Sequence, residues 1–425
     1  MTILTSNDST TFYRKACIVM IWLTTLYSSV IQFVFFQLPY GMLMLGIAVL
    51  LTFVLVYINN SFVLRDELSI ESIYMLCFMV YMLFIGLLFS QDINEHLAQW
   101  ITSLEYFVIL IIISSIITHS GTNSFYYLLL VEAAILAVVF IRKPVDYQGR
   151  YSISLDMNPN GLGMSFATGI WAILYLYQKK KISLIIVSAI TVLFTYCILL
   201  TGSRKSLIAA GLTVFLWIVI CFIPNTKRKE GYQVLLSFFF MLILMFAVNR
   251  FFLSQYVDSK ISSRMNNLLY EVSEGNRSDM YRNGFELLKE NLLFGMGFRG
   301  YANVYGGYSH ATLVEIPVSG GIIGALLYFY IYYISIKRVI KIYKITKGNE
   351  KYTCENSAIR MIIIIWVVMI FYTTCIIHHY QFQSFLLFGM IFGETSYLYK
   401  KVELLSESKE QKNIGSKYIK NEYKK

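Results

Sequence analysis

Long apolar runs restrict the possible fold of this sequence more than any other feature. An α-helix needs about 20 predominantly apolar residues to cross the hydrocarbon core of a bilayer, and twelve runs of about this length occur. They cover residues 16–36, 40–58, 70–90, 97–118, 124–141, 161–177, 182–200, 206–224, 232–253, 311–336, 358–377 and 381–399. Hydrophobic residues make up 57% of the chain and charged residues 14%, unlike an ordinary soluble domain. We expect an all-α, polytopic membrane protein whose residues 1–425 form a single integral membrane domain.

Clusters of lysine and arginine predict the orientation of these helices. Short cytoplasmic loops are enriched in both residues, and basic clusters follow the sixth, eighth and tenth runs, at 179–181, 227–229 and 337–351. All three follow even-numbered runs, so they share one face with the basic tail at 400–425 and with the pair at 14–15. We expect both termini to be cytoplasmic. The net charge of +11 then reflects topology and contact with membrane lipids, and no nucleic-acid partner is expected.

One external connection, residues 254–310, is much longer than the others. A segment of this length outside the membrane indicates a working part of the protein. Apolar residues recur at helical spacing within 261–272 and 281–292, which predicts two short amphipathic helices. The alternative for their apolar faces is that both helices lie on the bilayer and only cover the helix bundle.

The sequence gives no sign of a metal or nucleotide site. Its six cysteines include no CxxC pair, and histidine, cysteine and aspartate are not clustered at the spacing of metal ligands. A Walker loop and a GxSxG elbow are also absent from the sequence. We expect neither a bound metal nor another cofactor.

Basic and titratable residues concentrate where the predicted helices meet the external side. The short turn TGSRKS holds Arg204 and Lys205, and GNRSDMYR places Arg277 and Arg282 in the long connection. Guanidinium groups bind adjacent phosphates in a fixed geometry, so this pattern suits a diphosphate. The alternative is that arginines at helix ends simply reach the membrane interface.

A histidine and a glutamate close the long connection. In GYSHATLVE, His310 stands at the end of the connection and Glu315 lies one turn into the next predicted helix. Histidine has an ordinary pKa of about 6.5 and is therefore suited to take up a proton near neutral pH. The alternative for His310 is an interfacial residue that is hydrogen-bonded within the connection.

The order of these segments resembles the O-antigen polymerase and ligase family. The resemblance covers about residues 195–335 and rests on the TGSR turn, the GNR segment, NLLFGMGF, and the histidine ahead of a helix that contains GGIIG. Family members often have asparagine after this histidine, where the present chain has Ala311. Family polymerases also have an arginine and a glycine separated by ten residues in two external loops, and Arg150 with Gly161 and Arg264 with Gly275 fit this pattern.

The resemblance implies transfer of glycans that are carried on undecaprenyl diphosphate, at the outer face of a bacterial cytoplasmic membrane. Arg204 and Arg277 would bind the diphosphate and His310 would take the proton of the acceptor hydroxyl, with Arg282, Glu315, Arg150 and Arg264 in supporting roles. A polymerase would transfer the growing chain to the next lipid-linked repeat unit, with a chain-length regulator and a flippase as partners. A ligase would use the same chemistry on another acceptor. A transporter of lipid-linked glycan is the third possibility, although internal repeats typical of that class are not seen.

Four further polar residues lie within or next to the predicted helices. Glu105 and Glu132 occupy comparable depths in the fourth and fifth runs, where a carboxylate is costly unless it is paired or functional. The adjacent pair His378 and His379 falls in the last predicted external turn. We expect packing partners for the carboxylates, and the sequence leaves the roles of all four residues open.

Overall fold

The computed structural model describes residues 6–27, 69–121, 123–147, 150–155, 157–222, 277–348 and 352–422. This part of the chain is mostly helical. Its helices are α1 (Ser6–Leu26), α2 (Ile70–Phe89), α3 (Ile93–Ser120), α4 (Ser124–Arg142), α5 (Pro159–Gln178), α6 (Leu184–Thr201), α7 (Arg204–Leu216), α8 (Arg277–Glu290), α9 (Gly300–Tyr305), α10 (Thr312–Thr346), α11 (Thr353–Thr373) and α12 (Phe382–Glu422). A π-helical turn, Trp217–Phe222, extends α7, and a 3-10 turn, His378–Tyr380, precedes α12.

Seven of the described helices are long and apolar enough to cross a membrane, which supports a multi-pass membrane protein. They are α2, α3, α4, α6, α7 with its extension, α10 and α11. Helices α5 and α12 coincide with the sixth and twelfth predicted runs, whereas the second and ninth runs lie outside the described residues. The total of twelve spans therefore stays a prediction.

Helix α5 forms the centre of one part of the bundle. Every side chain from residue 162 to residue 176 is buried, because α4, α6 and α7 pack around this helix. In a second part of the bundle, α12 packs along α3. Gly389 and Gly393 permit this approach, since a Cβ at these positions would lie 2.9 Å from the Leu110 carbonyl oxygen and 2.7 Å from that of Ser114. Small residues one turn apart commonly allow such close helix packing in membranes.

A two-stranded antiparallel hairpin is the one departure from an all-α fold among the described residues. Strands β1 (Val145–Tyr147) and β2 (Arg150–Ser152) pair with Val145 opposite Ser152. The sequence analysis did not predict this hairpin, because each strand is only three residues long. The hairpin matters for the site since it brings Arg150 beside the turn between α6 and α7.

Part of the predicted external connection is buried in the bundle. Residues 295–298 are all buried, and the Phe298 ring stacks on the rings of His96 and His379. The backbone of this segment pairs with α10 where that helix is interrupted: Met296 N–H donates to the Val318 carbonyl at 2.9 Å, and Gly297 N–H donates to the Ser319 carbonyl at 2.8 Å. The end of the predicted external connection therefore packs inside the helix bundle.

The second predicted amphipathic helix corresponds to α8, although it buries a different face. Gly284 and Leu287 are buried, and Gly284 contacts Val314 of α10. Tyr281 and Phe285, which belong to the predicted apolar face, are exposed. Close contact at Gly284 selects this face, because glycine lets α10 approach where a larger residue would block it. The first predicted amphipathic helix, at 261–272, lies outside the described residues.

Candidate active site

A cavity of about 240 Å³ lies where several element ends meet. The hairpin, α8, the first turns of α5 and α7, and the chain segments before α10 and after α11 contribute its walls. Its lining residues are Arg150, Asn160, Lys205, Met280, Tyr281, Ser309, His310, Ala311, Thr374 and Cys375. The cavity thus combines two cationic side chains with an imidazole.

The turn between α6 and α7 is as short as the sequence predicts. Helix α6 ends at Thr201, Gly202 adopts a left-handed backbone with φ 62°, and α7 begins at Arg204. Inside the turn, the hydroxyls of Ser203 and Ser206 are hydrogen-bonded at 2.8 Å. Gly163 of α5 lies directly against these serines, since a Cβ there would be 2.8 Å from Ser206 Oγ and 2.9 Å from Ser203 Cβ. This close approach fixes the start of α7 against α5.

Two cations from distant parts of the sequence line the cavity. Lys205 Nζ donates to the Cys375 carbonyl at 2.8 Å, and Arg150 Nη1 donates to Asn160 Oδ1 at 3.2 Å. Both cations are half-buried. Each is thus held in place by a hydrogen bond while its side chain lines the cavity. A partly enclosed site with two positive charges favours an anionic ligand.

His310 lies on the cavity wall immediately before α10, and its side chain is exposed. The start of α10 is tied to the segment that follows α11, because Thr312 N–H donates to the Ile376 carbonyl at 2.9 Å and Thr312 Oγ1 accepts from His378 N–H at 2.9 Å. These bonds fix the helix that directly follows the histidine. An accessible imidazole next to two cations can take up a proton from a bound hydroxyl group.

Glu315 is fully buried beneath the cavity wall and does not line the cavity. Its Oε2 accepts from the Ser309 hydroxyl at 2.6 Å and from Ser309 N–H at 3.3 Å, and its Oε1 accepts from the Tyr380 hydroxyl at 3.4 Å. Burial raises the pKa of Tyr380 well above its usual range, so this hydroxyl stays protonated and able to donate. Ser309 therefore lies between the Glu315 carboxylate and the cavity.

The predicted site residues occupy different positions relative to the cavity. Arg150 and His310 line it, whereas Arg204 is half-buried at the start of α7 beside the lining residue Lys205. Arg282 is exposed and forms an ion pair with Asp279 at 3.2 Å. Arg277 is the first residue of α8, but its side chain is outside the described part of the structure, as is the whole of Arg264. The roles predicted for these residues stay predictions.

Sequence reasoning did not single out Lys205, Asn160 or Tyr281 as site residues. Lys205 directly follows Arg204, and successive helical side chains differ by about 100° in direction, so only one of the two faces the cavity. Asn160 lies in the DMNPNG segment, where local turn formation alone explains an asparagine. Tyr281 ties α8 to the end of α11, because its hydroxyl donates to the Thr374 carbonyl at 2.9 Å.

The remaining polar residues are packed inside the protein. His378 and His379 are buried and do not line the cavity. Burial lowers the pKa of His378 to about 3 and that of His379 well below its ordinary value, so both rings are neutral at physiological pH. Glu132 Oε1 accepts from Ser165 Oγ at 3.4 Å and from Gln383 Nε2 at 3.1 Å. Among the described residues, no group of three His, Cys, Asp or Glu side chains is placed to hold a metal ion.

The comparison with known families agrees with the resemblance seen in the sequence motifs. Residues 189–329 match the family described as O-antigen ligase. No curated protein matches the chain. The matched range contains Lys205 and His310 of the cavity, whereas Arg150 and Asn160 precede it. The similarity of this chain to the O-antigen ligase family therefore extends over residues 189–329.

Proposed function

We propose that the protein polymerises oligosaccharide repeat units carried on undecaprenyl diphosphate into a surface polysaccharide, such as a capsule, O-antigen or exopolysaccharide. The reaction takes place at the outer face of the bacterial cytoplasmic membrane, with both termini in the cytoplasm. The observation that carries this proposal is the cavity in which Arg150 and Lys205 face the same space as His310. Two cations suit a diphosphate, and the imidazole suits the hydroxyl that attacks.

The proposed reaction is a group transfer without a metal ion. The oxygen of the acceptor hydroxyl attacks the anomeric carbon of the growing chain, and the bond from that carbon to the diphosphate oxygen breaks. The electron pair leaves with undecaprenyl diphosphate, and the proton of the acceptor passes to the His310 imidazole. Arg150 and Lys205 stabilise the negative charge that develops on the leaving diphosphate.

The other basic residues are assigned to the substrate outside the cavity. Arg204 stands beside Lys205, and Arg277 begins the helix that contributes Met280 and Tyr281 to the cavity wall. In this proposal they bind the second phosphate, while Arg282 and Arg264 support the external connection. Membrane lipids surround the apolar helices, and a flippase and a chain-length regulator supply substrate and limit product length.

A ligase is the second candidate, because the matching family is described by ligase activity. The same cavity serves both reactions, since the donor and the leaving group are identical. The acceptor alone distinguishes them: a polymerase uses another lipid-linked repeat, and a ligase uses a different molecule. Purified protein with a single defined lipid-linked repeat therefore separates the two, because only a polymerase extends that substrate into a ladder of products.

The test of the cavity uses variants in the same assay. His310→Gln should lower turnover by about 10² to 10⁴, the usual contribution of a positioned general base, since an amide cannot accept a proton at neutral pH. Lys205→Met should reduce kcat/KM by about 10-fold or more, the effect of losing one charged hydrogen bond. Lys289→Met is the matched control, because Lys289 is exposed and lies outside the cavity lining.

Two results would contradict the proposal. Wild-type turnover by His310→Gln would exclude the imidazole as the base. An equal reduction of kcat/KM in the Lys205→Met and Lys289→Met variants would show that the loss of any positive charge has this effect, whether or not the lysine lines the cavity.

A further inference from the structure

Left-handed backbone occurs at only three non-glycine residues in the part of the chain that the structure describes, and two of them belong to one network. The three residues are Lys180, Arg299 and His310, with φ angles of 55°, 65° and 54°. Lys180 follows the end of α5 and closes that helix through a hydrogen bond to the Tyr177 carbonyl. Arg299 instead directly precedes α9, and His310 lies two residues before α10. A side chain at such an angle costs roughly 1–2 kcal/mol unless the surroundings hold it.

Glu315 joins these two strained positions. On one side, its Oε2 accepts from the hydroxyl and the N–H of Ser309, the residue before His310. On the other side, its Oε1 accepts from the Tyr380 hydroxyl, which in turn accepts from Arg299 N–H at 2.9 Å. A single buried carboxylate thus spans from one left-handed residue to the other.

Ser309 extends the network around His310. Its Oγ accepts from Ala311 N–H at 3.5 Å, so the Ser309 side chain contacts the backbone of the residue that follows the histidine. The shorter contact to Glu315, at 2.6 Å, fixes where the hydroxyl points. Ser309 itself is buried but contributes to the cavity wall. The network therefore reaches the cavity at the residue next to the imidazole.

We propose that Glu315 is a positioning residue that acts through Ser309 to hold His310 in its left-handed conformation, with the imidazole at the cavity. Tyr380 and Arg299 complete the support from the opposite side. The carboxylate has no contact with the cavity, so it neither binds substrate nor exchanges a proton with it. This inference rests on the proposed function, because it assigns to Glu315 the placement of the base used there.

The first test measures turnover in variants that loosen the network. Glu315→Gln and Ser309→Ala should each lower kcat by about 10- to 100-fold, the effect of displacing a reacting group by about 1 Å, while KM stays near the wild-type value because the cations of the cavity remain. Ser309→Thr keeps the hydroxyl and should recover part of the activity. Ser335→Ala is the matched control, because Ser335 is a buried serine of the same helix α10 whose hydroxyl has no hydrogen-bond partner within the described residues.

A double-mutant cycle then separates positioning from a general structural role. If Glu315 acts only through the imidazole, Glu315→Gln should have no further effect on the residual activity of His310→Ala. An equal loss in both backgrounds would overturn the proposal. Wild-type kcat in Glu315→Gln, together with a large loss in His310→Ala, would also overturn it and leave the proposed function intact.

A second measurement does not depend on activity. Hydrogen exchange of the peptide that spans residues 306–312 should be faster in Glu315→Gln and Ser309→Ala than in wild type, and unchanged in Ser335→Ala. Unchanged exchange in both network variants would overturn the inference even if turnover fell. If the wild-type protein did not extend lipid-linked repeats at all, the proposed function would fail, and the exchange experiment would still decide whether Glu315 holds this segment.

Discussion

Replacing Gly321 by alanine should destabilise the protein strongly, whereas the same change at the adjacent Gly320 should be tolerated. Gly321 interrupts α10 with φ 63° and ψ −165°, a region that is essentially accessible to glycine alone. The interruption frees carbonyl groups of α10 to pair with the connection between α8 and α9, and Ile322 N–H donates to the Leu292 carbonyl at 2.9 Å.

The magnitude follows from the backbone conformation and from the surroundings of the glycine. Side chains in this region of backbone space cost about 1–3 kcal/mol. A Cβ at Gly321 would also overlap the carbonyl group of Leu293 and lie 2.5 Å from Phe294 N. These are backbone atoms that cannot rotate away, and overpacking adds about 1–3 kcal/mol. The sum, about 2–6 kcal/mol, is a large share of the 5–15 kcal/mol that stabilises a typical folded protein.

Gly320 provides the matched control because it lies next to Gly321 in the same sequence motif. A Cβ there would be 3.0 Å from Met82 Sδ and 3.5 Å from a Tyr81 ring carbon. Methionine is flexible enough to move by a few tenths of an ångström, so we expect a cost below about 1 kcal/mol. The free energy of unfolding of the two detergent-purified variants can be compared by denaturant titration. Equal stability of Gly321→Ala and Gly320→Ala would refute the reasoning.

Two further predictions concern pH and topology. Burial lowers the pKa of His378 to about 3, so between pH 6.5 and pH 3 the folded protein binds fewer protons at this ring than the unfolded chain does. The stability of the folded protein therefore decreases as the pH is lowered through this range. At pH 5, the loss in the free energy of unfolding that is caused by this ring should reach about 2 kcal/mol. Thermal unfolding of His378→Gln should therefore depend less on pH than that of the wild type. An unchanged pH dependence in this variant would argue against the role of His378. In a cysteine-free background, Lys289→Cys should react with an impermeant thiol reagent in cells without an outer barrier, and Lys344→Cys should not. The reverse labelling pattern would invalidate the proposed orientation.

Features set by local sequence were predicted well. The apolar runs identify a multi-pass helical membrane protein, because the length and hydrophobicity of each run decide whether it can cross a bilayer without help from distant residues. The short TGSR turn and the start of a helix at Thr312, two residues after His310, are likewise local, since a turn residue and the first helical positions are decided within a few residues. The order of these segments was also sufficient to indicate the similarity to the O-antigen ligase family that the match over residues 189–329 supports.

The composition of the cavity could be predicted only in part. His310 was placed correctly at the end of a connection, but the choice of Lys205 over Arg204 as the lining cation depends on how α7 is rotated against α5. Arg150 reaches the cavity because a hairpin folds toward the turn between α6 and α7. The rotation of a helix and the position of a hairpin both result from packing between segments that are far apart in the sequence. The periodicity of apolar residues within one segment carries no information about this packing.

Burial of polar and connecting residues was decided by the tertiary structure alone. The pair His378 and His379 was expected in an external turn, yet both rings lie in the core, and the segment at 295–298 is buried although it belongs to a predicted external connection. The same holds for Glu315, whose partners are Ser309 nearby and Tyr380 from the last turn before α12. The sequence determines which residues can be helical, apolar or charged. Their partners are set by the simultaneous packing of all the helices, because the free energy of burying a polar group depends on which hydrogen-bonding atoms the other segments bring to it.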